Sequence, residues 1–90
     1  MKKTHPVRNP DIVARKDKKE ALLFNPADGA MLSLNKTGIL LWDMADGSNT
    51  AEDMAQKISE SYDVSLDKAK EDSLSCLAEL EKTGFIGYKV

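Results

Sequence analysis

Histidine, cysteine and aromatic residues are scarce in this chain. One histidine, His5, and one cysteine, Cys76, stand among 90 residues, and aromatics make up 6%. A single cysteine excludes an internal disulfide and a Cys-rich zinc site. A single histidine excludes a multi-histidine metal site, and because His5 lies in the N-terminal arm no His-based triad is expected either. Long apolar runs are missing as well. The longest, such as Ile39-Leu40-Leu41-Trp42, hold four residues, against the ~20 that a membrane-spanning helix needs. The start, Met1-Lys2-Lys3-Thr4-His5-Pro6, is basic, but no apolar segment follows it. No secretory signal is therefore expected, and the expected location is the cytoplasm. Gly84-Phe85-Ile86-Gly87 has neither the spacing of a phosphate-binding loop nor a helix after it. Asp28, Asp43, Asp46 and Asp72 show no pairing. Neither an enzyme nor a bound cofactor is expected, and Cys76 reads as an inert thiol near the core.

What is present describes one small soluble domain. Hydrophobic residues make up 41% and charged residues 31%. A chain this short buries only about 60% of its unfolded surface, which leaves little room for a deep pocket. Charge is unevenly spread. Residues 1–20 carry seven basic and three acidic side chains, a balance of +4, and the remainder carries −6. Pro6 and Pro10 disfavour helix around them. Residues 1–10 therefore read as an extended basic arm, mobile at its start, and residues 11–90 as the domain.

Local patterns predict an α+β order. Three short antiparallel strands are expected near 12–16, 20–25 and 30–34. Asn25-Pro26-Ala27-Asp28-Gly29 supplies turn chemistry between the second and third. In the third strand Ala30, Leu32 and Leu34 share one face, and Met31 and Ser33 the other. Three helices should follow. Asn35 caps the first, whose apolar positions include Ile39, Leu40 and Trp42. Thr50 caps the second, with Asp53 placed to complete a capping box. Ser65 opens the third, roughly 65–83, which ends at Gly84. Phe85 to Val90 reads as a terminal strand or docked tail. On the third helix Leu66, Ser73, Leu77 and Leu80 lie together, flanked by Ala69 and Cys76. Leu74 lies on the opposite flank, near Lys70 and Ala78. That apolar face is wider than one packed neighbour requires.

Three helices with small strands also fit a winged helix-turn-helix, and a DNA-binding regulator is the alternative reading. The third helix opposes it. Lys68, Lys70 and Lys82 stand against Asp67, Glu71, Asp72, Glu79 and Glu81, the wrong sign for phosphate. The strand 30–34 is more suggestive. It is uncharged and free of proline, so it lacks the usual guards of a sheet edge, as a site for an added peptide strand would.

The ordered set Leu22-Leu23, Pro26, Gly29, Leu34-Asn35, Thr37, Ile39-Leu40, Trp42, Asp46-Gly47, Thr50, Tyr62, Leu77, Leu80 and Gly84-Phe85-Ile86 resembles the PqqD-like proteins. The resemblance spans about residues 12–87. It implies a winged helix-turn-helix-like fold, a three-stranded antiparallel sheet followed by three helices. It also implies a recognition element for ribosomally made, modified peptides. Such elements bind the leader segment of a precursor peptide as an added strand beside the third helix. They present it to a modifying enzyme, commonly a radical S-adenosylmethionine protein. Carried onto this chain, the peptide-binding candidates are Ala30, Met31, Leu32, Ser33 and Leu34 of the strand. Lys70, Leu74, Leu77 and Ala78 are the candidates on the helix, with Ala69, Asp72 and Cys76 as the alternative flank. Ala45 stands where quinone-pathway members carry cysteine, which points to a peptide product other than pyrroloquinoline quinone.

Overall fold

A computed structural model describes residues 5–89. The order of elements is β1 His5–Arg8, β2 Val13–Lys16, β3 Ala21–Phe24, β4 Met31–Leu34, α1 Lys36–Met44, α2 Ala51–Tyr62, α3 Leu66–Lys82 and β5 Ile86–Lys89. The three-stranded antiparallel sheet and the three helices after it are those expected from the sequence. A second, two-stranded sheet joins β1 to β5.

The main sheet has the order β2-β3-β4. Its register pairs Val13 with Phe24 and Phe24 with Met31, so these three form one row across the sheet. All three are exposed on the outer face. The inner face carries Ala21, Leu23 and Leu34 into the core. The β3–β4 turn closes as its residues dictate. Asn25 Oδ1 accepts from the Ala27 N–H, Asp28 Oδ1 from the Ala30 N–H, and Gly29 takes φ +75°.

Each helix begins at the residue its sequence marks. Asn35 accepts from the Gly38 N–H at 2.9 Å. Thr50 and Asp53 make the reciprocal capping box, at 3.1 and 2.9 Å. Ser65 accepts from the Lys68 N–H at 3.2 Å. These bonds satisfy donors that a helix start otherwise leaves unpaired. α3 ends on Gly84 at φ +81°. Phe85 N–H returns to Leu80 O at 2.9 Å and Gly84 N–H to Glu81 O at 3.1 Å. That is the Schellman pattern, and it turns Phe85 into the core.

The core gathers Leu23 from the sheet, Leu41 and Trp42 from α1, and Met54 and Ile58 from α2. Leu77 and Leu80 of α3 and Phe85 complete it. Gly38 sits where α1 meets β4, and a Cβ there would lie 3.0 Å from Leu34 Cδ2. A side chain would push the helix off the strand.

Within the expected N-terminal arm, His5–Arg8 is the strand β1, and residues 1–4 lie outside the described region. β1 pairs with β5 from His5↔Lys89 to Arg8↔Ile86. Its other side meets the turn after α1. Arg8 N–H donates to Ala45 O at 2.8 Å, and Gly47 N–H to Pro6 O at 3.0 Å. The Arg8 guanidinium donates to Trp42 O and Asp43 O, at 2.7 and 2.8 Å. α1 has no basic residue in its own last turn. Arg8 supplies that charge to the negative end of the helix from a distant strand. Among the described residues no helix is long and apolar enough to cross a membrane.

Candidate functional site

β4 is an edge strand, with β3 on one side and, among the described residues, no strand on the other. The phase of its ladder follows from the turn. Asn25 N–H donates to Ala30 O at 2.9 Å, so Leu23↔Leu32 and Ala21↔Leu34 are the hydrogen-bonded pairs of the alternating pattern. The N–H and C=O groups of Met31 and Ser33 then point to the free edge. This edge carries no proline, lysine or bulge to blunt it.

The free edge opens onto a cleft of about 740 Å³ between β4 and α3. Leu32, Ser33 and Leu34 form the strand wall, and Asn35, Thr37 and Gly38 at the start of α1 form one end. Asp72, Ser75, Cys76 and Glu79 form the helix wall, and Glu20 overhangs from the start of β3. The spacing of 72, 75, 76 and 79 is that of one helix face. Cys76 is half-buried, and burial, then the Glu79 carboxylate beside it, pushes its thiol pKa up. It is a neutral wall atom at physiological pH, not an activated nucleophile. Asp72 has Lys68 at 3.4 Å, an exposed i,i+4 pair.

The sequence candidates separate in this geometry. Leu32, Ser33 and Leu34 line the cleft. Ala30 precedes the strand and Met31 stands on the outer face, 60% exposed. The helix candidates do not line it. Leu77 is in the core at 1% exposure, whereas Lys70, Leu74 and Ala78 project from the far flank of α3, with Leu74 59% exposed. Of the alternative flank, Asp72 and Cys76 line the cleft and Ala69 is core. The physical reason is that a helical wheel finds the buried stripe of α3 but carries no information on which side of it β4 lies. Packing of α3 on α2, α1 and β5 decides that. Sequence reasoning also missed Glu20, Ser75 and Glu79. Polar residues lining an open cleft resemble an ordinary solvated face, and only Glu79, one turn beyond Ser75 and Cys76, continues the visible flank.

The family model for coenzyme PQQ synthesis protein D (PqqD) matches residues 20–86, most of the chain. The chain belongs to the PqqD family. Solved structures share its fold. A lasso peptide synthetase B1 complexed with the leader peptide superposes with TM-score 0.80 at 20% identity, covering 92% of this chain and 98% of that one. TbiB1 in complex with the TbiA(beta) leader peptide gives TM-score 0.80 at 19% identity, covering 93% and 99%. The PqqD truncation of Methylobacterium extorquens PqqCD, a stand-alone recognition element, gives 0.72 at 24%, covering 91% and 87%. No curated protein matches. At these identities the likeness carries the fold. In this PqqD-family chain β4 is the open edge among the described residues and α3 the opposite wall of the cleft.

Proposed function

We propose that this PqqD-family protein is a non-catalytic adaptor for peptide modification. It binds the leader segment of a ribosomally made precursor peptide, which adds to β4 as a fourth strand and lies in the cleft against α3. It then presents the peptide to a modifying enzyme, which we take to be a radical S-adenosylmethionine protein.

One observation carries this reading: the outward N–H and C=O groups of Met31 and Ser33 border an open cleft rather than a neighbouring strand. An extended peptide would satisfy those groups and extend the sheet, while the cleft receives alternate side chains. Two structures of the same fold contain leader peptides, which supports the choice of occupant. The shallow cleft suits a transient handover better than enclosure of a small molecule.

The test is calorimetric titration with leader segments of precursor peptides encoded near the gene, followed by modification assays with the neighbouring enzyme. The adaptor reading expects saturable binding and enzyme turnover that depends on the adaptor. Peptide modification at full rate without the protein would overturn it.

A further inference from the structure

Among the described residues, all the ionised side chains that line the β4–α3 cleft are acidic. Glu20, Asp72 and Glu79 face it, and no lysine, arginine or histidine does. Glu20 and Glu79 have no ion-pair partner among the described residues, and the Lys68–Asp72 pair is exposed on both sides. Such an exposed pair is weak and readily exchanged. Lys16 pairs with Asp43 and Arg8 caps α1, while Lys18, Lys19, Lys36 and Lys70, nearer in sequence, do not line the cleft.

A strand added to β4 points every second side chain to the inner face, toward α3. We propose that the peptide accepted by this cleft carries Lys or Arg at those inward positions. This rests on the adaptor reading and adds the chemical class of its ligand. The long aliphatic stems would lie along Leu32, Leu34 and Cys76, with the cationic heads at Asp72, Glu79 and Glu20. The arrangement matches both properties of those side chains: an apolar floor and an anionic rim. Acidic residues inward would face three carboxylates across a half-solvated gap, so the cleft rejects them as well as favouring cations.

The test is selection of a displayed random 12-residue peptide library against the immobilised full chain. Enriched sequences should carry an excess of Lys and Arg at alternate positions. Each carboxylate removed should weaken an enriched peptide roughly 2–5-fold, in line with exposed charge pairs. Repeating the selection on Asp72→Lys/Glu79→Lys should turn the excess to Asp and Glu. Asp72→Asn/Glu79→Gln, a milder change at two exposed sites, should abolish the excess without reversing it. Enrichment without a basic excess would overturn this inference and leave strand addition standing. So would a basic excess that survives both double variants, since that would locate the attraction elsewhere. No enrichment at all would overturn the adaptor reading and this inference together.

Discussion

Ser73 occupies the centre of α3's buried face, fully enclosed, with no hydrogen-bond partner for its hydroxyl among the described residues. An unsatisfied buried hydroxyl costs free energy that a methyl does not. Ser73→Ala should therefore stabilise the fold by about 1 kcal/mol, raising Tm roughly 4–8 °C in a domain this small. Thermal melts followed by circular dichroism check this, and a fall in Tm would show that the hydroxyl is satisfied. Gly38 gives the opposite case. Alanine is the better helix former by about 1 kcal/mol. Here its Cβ would lie 3.1 Å from Leu34 Cβ and 3.0 Å from Cδ2. Leu34 Cβ is not a flexible tip, so α1 and β4 must separate. Gly38→Ala should lower stability by about 1 kcal/mol net and shift the Leu34 amide, which the same melts and an NMR spectrum read out. Neither effect was legible in the sequence, where Ser73 looks like one polar lapse in a stripe and Gly38 like a weak helix residue.

Capping was legible element by element, because Asn35, Thr50 and Ser65 act on backbone groups three residues away. It also has a pH consequence. Bonds from Thr50 N–H, then from its hydroxyl, hold Asp53 below the ordinary carboxylate value of 3.8, and Ser48 does the same for Asp46. A depressed folded-state pKa adds stability above the unfolded value that is lost as pH falls through the folded one. Urea midpoints of the wild type should fall on acidification from pH 5 to pH 3. Asp53→Asn should show a smaller fall over that range. A parallel fall in both would remove Asp53 from the acid limb. For β4 the ladder phase sorts proline substitutions. Ser33→Pro removes an outward N–H and should cost leader-peptide affinity at least tenfold, with the fold retained by circular dichroism. Leu32→Pro removes a bond to β3 and should destabilise the domain itself. Equal peptide affinity in Ser33→Pro and wild type would argue against strand addition. The strand's lack of guards was readable from its uncharged, proline-free sequence, and its place at the edge from the family resemblance. The facing flank of α3 was not, since a wheel cannot orient two elements whose contact is long-range.

For the molecule as a whole, the basic N-terminal stretch is partly absorbed into the fold. β1 closes against β5 across nearly the full chain length, and Arg8 and Lys16 anchor α1. Pairing between residues so far apart leaves no local periodicity, so Pro6 and Pro10 suggested an arm where a strand forms. The fold class and helix order, by contrast, follow from short-range signals: the Asn25–Gly29 turn, three caps and Gly84. Charge is unevenly placed around the cleft, whose lining holds three carboxylates and no basic side chain among the described residues. The most direct measurement is an amide NMR titration of the labelled protein with leader segments of the neighbouring precursor peptides. Strand addition predicts shifts confined to Glu20, residues 30–38 and Asp72, Ser75, Cys76 and Glu79. Shifts centred on Lys70, Leu74 and Ala78, or none in a folded sample, would contradict it.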